Sequence, residues 1–335
     1  MLLRAVKRHE TRQSTANDAI LPFMKRHYHR KTCFLLCLTV FSLIQHTALH
    51  AAKAPLGLSA LLPGGARSSA LAGCSALLTE STEDFHANPA LIAGIPRTET
   101  GFGIDIRTDG LTTPAFWLGL PVAQDSLWLG LSFRQLAPHA RSFAPTISPH
   151  LSLPPDLDYQ ASATLGLAWR ISGPLSMGAA LLAHVSDGTN STASTSPGLA
   201  LGCMLSRTPS LPLSLAIAFL NIVPTLEPGR VSASLPWIWR ASATWRCIES
   251  WPHSLDLGFE WSGGEDRPGR IAAALEYSIE SRWFFRTGLA AGDTVPRLGL
   301  GFRDISPDIS LAVDLSWQHA DDNSNVFRVS IAFGF

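Results

Sequence analysis

The feature that most constrains this chain is an alternation of apolar residues with small or polar ones, which recurs from residue 100 to the end. In the run 327–335 the odd positions hold Phe, Val, Ile, Phe and Phe, and the even ones Arg, Ser, Ala and Gly. Successive side chains of a β-strand point to opposite faces, so this period predicts strands with one apolar face. No apolar run reaches the about 18 residues that indicate a transmembrane helix.

Fourteen segments of this kind can be recognised, and most are 8 to 13 residues long. A tilted strand needs about 9 to 11 residues to cross a membrane, and bacterial single-chain barrels have an even number of strands. We therefore predict an all-β fold, a 14-stranded antiparallel transmembrane β-barrel over residues 100–335, in the cell outer membrane. The segments are 100–107, 114–121, 126–134, 159–171, 174–185, 198–206, 211–220, 233–246, 253–262, 269–279, 282–290, 296–303, 309–318 and 326–335.

The composition of the second face favours a membrane barrel over a soluble sandwich or propeller. Charged residues make up 16% of the chain, against about 25% in ordinary soluble domains, and the second face is mostly Gly, Ala, Ser and Thr. The charged residues on that face are the candidates for lumen-facing groups: Arg170, Asp256, Glu260, Arg270, Glu276, Asp314 and Arg328. Aromatic residues near the segment ends indicate interfacial girdles: Trp237, Trp245, Trp261, Trp283, Trp317 and Phe335.

The connections predict an orientation for the barrel. Every connection of more than ten residues follows an odd-numbered segment, and outer-membrane barrels have long outer loops and short periplasmic turns. The last strand then ends in the periplasm at Phe335, a terminal aromatic residue that resembles the signal read by the outer-membrane assembly machinery.

An export signal precedes the strands. Residues 25–31 are basic, residues 33–44 are mainly apolar, and small residues follow to Ala52, which is the order of a secretory signal peptide. We expect residues 24–52 to be that signal, and residues 1–23 to be an over-extended start.

Residues 53–99, here called the N-terminal segment, lack the strand alternation. Gly65-Ala66-Arg67 opens a stretch of small residues, an acidic patch follows, and Asn88-Pro89-Ala90 comes near the end. Asn before Pro predicts a helix start, with Asn88 as N-cap and Pro89 in the first turn.

This order of motifs resembles the N-terminal hatch of the long-chain fatty acid transporter (FadL) family. It resembles still more the related PorV/PorQ-like barrels and an uncharacterised family of similar spirochaetal proteins. The resemblance implies fourteen strands and an N-terminal plug, or hatch, that contains the six residues Gly65 to Arg67 and Asn88 to Ala90.

The resemblance also implies a function. FadL-type members pass hydrophobic molecules through the wall, so we expect a transporter of hydrophobic or small solutes such as long-chain fatty acids. Its partners are then outer-membrane lipid, a hydrophobic small-molecule ligand and, through Phe335, the assembly machinery. A PorV-like secretion or assembly partner and a surface structural protein or adhesin are the alternatives.

Motifs for catalysis are missing from the sequence. There is no Gly-x-Ser-x-Gly elbow, His-Glu-x-x-His zinc helix or phosphate loop, so we expect no enzyme, cofactor or metal site; a barrel phospholipase or protease with dispersed residues is the alternative. Residues 1–51 are basic and the remainder of the chain carries a mild net negative charge, a distribution that gives no reason to expect nucleic-acid binding.

Overall fold

The computed structural model describes residues 64–78, 81–108, 111–123, 126–138, 159–187, 194–222, 236–265, 267–291, 293, 295–306, 309–319 and 325–335. The expected start region 1–23 and signal peptide 24–52 lie outside the described residues, as do residues 53–63 of the N-terminal segment. Within the described ranges no helix has both the length and the apolar character needed to cross a bilayer.

The strands of the described chain form one closed antiparallel barrel. Each strand pairs with its neighbours in sequence, and β14 pairs with β1, which confirms the predicted 14-stranded barrel. The strands are β1 Glu99–Arg107, β2 Leu111–Ala123, β3 Leu127–Pro138, β4 Tyr159–Ser172, β5 Leu175–Asp187, β6 Ser194–Leu205, β7 Leu213–Leu220, β8 Ile238–Ser250, β9 His253–Gly264, β10 Arg267–Ile279, β11 Trp283–Ala290, β12 Arg297–Ile305, β13 Ser310–His319 and β14 Asn325–Gly334.

Strand β8 departs most from its predicted bounds. It was expected over 233–246 and is found over Ile238–Ser250, so the predicted connection 247–252 is wrong. The pairing with β9 shifts between Arg246 and Ile248. A bulge of this kind moves every later side chain to the other face, so it breaks the alternation on which the sequence prediction rested.

The exterior of the barrel is apolar, as the alternation predicts. On β4, Leu165 and Leu167 are 50% and 45% exposed, whereas Thr164 and Ala168, which flank this pair, are buried. Of the aromatic residues expected in the girdles, four are exposed: Trp237, Trp261, Trp283 and Phe335. Since closure pairs the backbone groups that lipid cannot satisfy, this is an outer-membrane barrel.

The two ends of the barrel differ in their connections. The end where even-numbered strands turn into the next strand is here called the turn end, and it also holds Phe335; the opposite end is the loop end. The connections at the turn end are 124–126, 173–174, 206–212, 251–252, 280–282 and 306–309. The long connections 139–158 and 221–237 are both at the loop end, which the sequence predicts to face outward.

The described part of the N-terminal segment is compact and packs against the inner wall. It contains helix α1 (Ala66–Ala70) and two 3₁₀ helices, Ser75–Leu77 and Pro89–Gly94. Its apolar residues form a core with inward-facing residues of the strands; Leu71, Leu77 and Leu91 share one cluster with Met204 and Ala272. The hydrophobic core of this protein therefore lies inside the barrel.

We predict that charge on the outer face is costly in proportion to its depth in the membrane. Leu315, which is 48% exposed, lies in the middle of β13, and Leu311 lies near its end on the same face. Leu315→Arg should lower the free energy of unfolding by about 2–4 kcal/mol, and Leu311→Arg by about 0–1 kcal/mol. Denaturant unfolding in lipid vesicles, followed by tryptophan fluorescence, measures both; equal losses would contradict the assigned depth.

Candidate functional site

Glycines on the inner wall mark where the N-terminal segment touches the strands. A Cβ at Gly178 would collide with the backbone at Pro89, and one at Gly288 with the backbone at Ala70 and Ala72. Glycine weakens a strand interior but allows another backbone to approach closely. Eight inward glycines, one on each of eight strands, lie against residues 70–95 of the segment in this way: Gly119, Gly130, Gly166, Gly178, Gly202, Gly258, Gly288 and Gly299. We call these eight residues the glycine belt.

Asn88 caps the last helix of the segment, as predicted. Its side-chain oxygen accepts a hydrogen bond from the Ala90 backbone N–H at 3.0 Å, and Pro89 occupies the first position of the helix. Asn88 is fully buried and lies against Gly202 of the glycine belt. The cap therefore also fixes how the segment meets β6.

A buried network of charges joins α1 to the wall. Glu276 on β10 accepts hydrogen bonds from Nε and Nη2 of Arg67, both at 3.0 Å, and from Nε of Arg286 at 2.6 Å. Arg286 also donates to Asp314 on β13. Arg67 in addition donates to the Leu77 carbonyl oxygen at 2.8 Å. Because breaking one partner would leave uncompensated buried charges, this network anchors α1 strongly.

A second polar cluster holds the segment on the opposite wall. Asp84 lies 3.4 Å from the Arg134 guanidinium and accepts hydrogen bonds from the Ser68 hydroxyl and the Gly64 backbone N–H. Burial alone raises the pKa of Asp84, but the nearby charges of His86 and Arg134 outweigh this effect and hold the pKa below its usual value. Asp84 therefore stays ionised and paired.

Two further predicted carboxylates are paired with arginines. Glu260 accepts from Arg240 at 2.9 and 2.6 Å and from the Ser75 backbone N–H at 3.0 Å. Asp256 accepts from Arg246 at 2.8 Å through both oxygens, and from Arg207 at 3.3 Å. Glu260 thus anchors the segment, whereas Asp256 holds charges near the turn end.

The structure places the other predicted lumen residues in separate positions. Arg170 donates to the Ala93 carbonyl oxygen at 2.8 Å, and Arg328 pairs with Asp105 on β1. Arg270 is exposed at the loop-end side of β10 and does not contact the networks above through any hydrogen bond among the described residues.

The remaining predicted residues of the N-terminal segment lie around α1. The Ala66 backbone N–H donates to the Ser330 hydroxyl of β14 at 3.1 Å. Gly65 packs against the Glu83 side chain. Both residues are buried.

Sequence reasoning missed the partners of these charges. The missed residues are Asp105, Arg134, Arg240, Arg246 and Arg286. Each of these residues occupies the less apolar face of its strand, so the alternation indicates that its side chain points inward. The alternation does not give the register between strands, and the register decides which charges pair. The alternation likewise places the glycines of the belt on the inward face, but it does not show that they contact the N-terminal segment.

Glu83 is a buried carboxyl group within the segment. It accepts a hydrogen bond from the Ser68 backbone N–H at 3.1 Å and has no ion-pair partner among the described residues. Burial, together with the negative charges of Asp314 and Asp84, raises the pKa of Glu83 to about 8. The group is therefore protonated below that pH and ionised above it.

Two cavities lined by described residues lie between the segment and the wall at the turn end. The larger one has a volume of about 450 Å³ and extends from Arg67 to the turn at Trp251. The smaller one, of about 180 Å³, lies beside Leu91. Arg207 and Ser214 line both cavities, so the two are neighbours. No group of three metal-ligating side chains occurs within the described ranges.

Comparisons with known proteins find similar folds among solved structures. No family model matches the chain, and no curated protein matches it. Among solved structures, a FadL homologue from Pseudomonas aeruginosa is 14% identical, with a TM-score of 0.54, over 82% of this chain and 98% of that one.

Two other solved structures are similar to a comparable degree. The CymD monoaromatic hydrocarbon channel is 14% identical, with a TM-score of 0.53, over 82% of this chain and 98% of that one. The Ralstonia pickettii toluene transporter TbuX is 11% identical, with a TM-score of 0.53, over 80% and 96% of the two chains. These likenesses confirm the expected resemblance to FadL-type barrels at the level of the fold.

We predict that filling one position of the glycine belt displaces the N-terminal segment. Gly288→Val would overpack against Ala70 and Ala72, at a cost of about 1–3 kcal/mol. Because the displaced segment would open more often, the fully buried Cys74 should react with a thiol reagent about tenfold faster. The rate of maleimide labelling of Cys74, with Cys203 and Cys247 replaced by Ser, measures this. Thr287→Val puts the same side chain on the outward face and should leave the rate unchanged; similar rates in both variants would refute the contact.

The raised pKa of Glu83 predicts a pH dependence of stability. An acid whose pKa is higher in the folded state stabilises that state fully below its unfolded pKa of about 4.3, and this contribution is lost as pH rises through about 8. The melting temperature should therefore decrease as the pH is raised from 5 to 9. In the Glu83→Gln variant this decrease should be smaller. Glu249→Gln, which changes an exposed carboxylate, should keep the wild-type profile; a Glu83→Gln profile identical to wild type would disprove the assignment.

Proposed function

We propose that this protein is an outer-membrane transporter that admits small or hydrophobic solutes, with the N-terminal segment as its plug. The segment closes the lumen at rest. Solutes pass through the barrel when the segment moves, or they pass between the segment and the wall. The barrel strands form the wall, and outer-membrane lipid surrounds it. Phe335 is the signal for the assembly machinery in this proposal.

The observation that carries the proposal is the fit between the glycine belt and the segment. Eight inward glycines on eight strands leave room for the segment's backbone and side chains. A barrel that served only as a membrane scaffold could fill its lumen with larger wall side chains, and would gain stability by avoiding glycine in strands. A wall moulded around a separate segment supports a lumen that is closed by a part able to move.

The contacts between the segment and the wall are separate from the backbone pairing that closes the wall. The segment is held to the wall by side-chain hydrogen bonds and ion pairs, such as Arg67 with Glu276 and Ser75 with Glu260. It adds no strand to the barrel, because β1 to β14 pair only with one another in the described chain. Removing the segment therefore leaves the backbone pairing of the wall intact.

The fold relatives support the class of solute. CymD is a monoaromatic hydrocarbon channel and TbuX a toluene transporter; this chain shares their barrel fold. We extend to it a role in the passage of small hydrophobic or amphipathic solutes, with long-chain fatty acids as one candidate. The cavities at the turn end are of a size that suits small solutes.

Deleting residues 60–95 tests the plug. In a planar bilayer, the purified deletion variant should show a large, steady conductance, because a fourteen-stranded barrel without its filling is wide enough to hold water. The full chain should show a small or closed signal. Liposome swelling in the presence of small uncharged solutes should rise in the same order.

Controls separate a plug from a general loss of structure. The deletion variant must show heat-modifiable migration on gels, which reports a folded barrel. If the folded deletion variant showed the same closed state in the conductance measurement as the full chain, the plug hypothesis would be wrong. That result would favour the hypothesis of a structural protein or an adhesin. Copurification of a secreted cargo with the full chain, without any solute passage, would favour the PorV-like role.

A further inference from the structure

One arginine on the inner wall near the loop end has no carboxylate partner. Arg270 is exposed, and it makes no hydrogen bond or ion pair among the described residues. It shares the inward face of β10 with Ala272, which belongs to the inner core. Ser262 of β9 lies directly opposite Arg270, and Arg240 of β8 lies opposite Ser262. We call these three inward residues the loop-end row.

The carboxylates near the loop-end row are already paired with other arginines. Glu260 accepts from Arg240 at 2.9 and 2.6 Å. Asp293 accepts from Arg297 at 2.9 and 3.1 Å. The charges of both these arginines act on Arg270, and so do those of the two carboxylates. Three cations and two anions leave one excess positive charge, so the repulsion between Arg270 and its neighbouring arginines is not fully balanced.

The loop-end row also has hydrogen-bond donors that a ligand can reach. Arg240 is held in place by Glu260 and by the Gly73 carbonyl oxygen, to which its Nη2 donates at 2.6 Å. Its Nη1 makes no hydrogen bond among the described residues and is accessible, as is the Ser262 hydroxyl. Side chains opposite each other on neighbouring strands are about 4.5–5.5 Å apart at Cβ. These donors and the Arg270 guanidinium therefore lie close enough to contact one small ligand.

The surroundings of the loop-end row favour a hydrophilic ligand. In the next row toward the turn end, the same three strands carry Ser242, Glu260 and Ala272. On the loop-end side, Ile238 is buried in a cluster with Leu220. None of these described residues presents a large apolar surface to a ligand in the row. A ligand would be held here by charge and hydrogen bonds.

We propose that the loop-end row binds a phosphate group, either free or carried by a small hydrophilic solute. The phosphate oxygens pair with Arg270 and accept from the Ser262 hydroxyl and from Nη1 of Arg240. A phosphate monoester carries a charge of about −1.5 to −2 at pH 7 and has three acceptor oxygens, so it engages several donors and offsets the excess charge. Guanidinium groups match phosphate oxygens in paired hydrogen bonds.

The site goes beyond the passage of hydrophobic solutes and does not depend on it. The row lies at the end of the barrel that the sequence predicts to face outward, and its donors are accessible with the N-terminal segment in place. Binding therefore requires no movement of the segment.

Calorimetric titration of the full-length barrel in detergent, in a buffer free of phosphate and sulfate, tests the site. The probes are inorganic phosphate, glycerol 3-phosphate and octanoate, whose charge is carried on an apolar chain. At least one of the two phosphates should bind about tenfold more tightly than octanoate. Tighter binding of glycerol 3-phosphate would identify a phosphate monoester as the ligand, and tighter binding of inorganic phosphate the free ion. Octanoate binding as tight as that of both phosphates would overturn the proposed ligand class.

Substitutions locate the site. Arg270→Gln removes the unpaired charge and should weaken phosphate binding about tenfold, and Ser262→Ala should weaken it severalfold. Arg282→Gln is the matched control, because Arg282 is also exposed, has no side-chain hydrogen bond among the described residues and lies at the turn end. The control should leave the affinity unchanged. Equal losses in Arg270→Gln and Arg282→Gln would reduce the effect to overall charge and overturn the site.

Two further measurements separate binding from folding. Heat-modifiable migration on gels shows whether each variant is folded, and Arg270→Lys, which keeps the charge, should recover part of the affinity lost in Arg270→Gln. Absence of phosphate binding to the full chain, or an unaltered affinity in folded Arg270→Gln, would overturn the proposal. Neither result bears on the plug, which the conductance of the deletion variant tests separately.

Discussion

The requirement that every backbone N–H and C=O in lipid be paired shapes the rest of this structure. Fourteen antiparallel strands meet it only by closing, with β14 paired to β1. Closure places the apolar face of each strand outside, as on β4, where Leu165 and Leu167 are exposed. A barrel of this strand number encloses more space than its own side chains fill. The described part of the N-terminal segment packs into that space, so the protein's core is formed with a part that is not a strand.

The interior differs in chemistry from a soluble core for the same reason. With the large apolar side chains turned toward lipid, the wall offers mainly small and charged residues inward. Glycines such as Gly178 and Gly288 let the segment approach, and Arg67 paired with Glu276 fixes its position. Charges enclosed in this way need well-matched partners.

The sequence predicted the strands well and their partners poorly. Alternation assigns a face to each residue, and Ser316 and Asp314 are inward as their pattern indicates. Alternation fails where a bulge interrupts it, as after Arg246 in β8. Alternation also does not predict which charges pair, because Glu276 contacts Arg286 from the next strand and Arg67 from more than 200 residues away. Local patterns carry no information on register between strands or on contacts so distant in sequence.

By itself the sequence determined the fold class, the number of strands, the face of most side chains and the cap at Asn88. These are consequences of local rules: the two-residue period of a strand, and the hydrogen bond from a capping side chain to the next turn. Tertiary structure alone decided which inward charges meet, which glycines receive the segment and where a cavity remains. Those features depend on the closed barrel bringing distant strands to one interior, since only closure sets the register and the distances across the lumen.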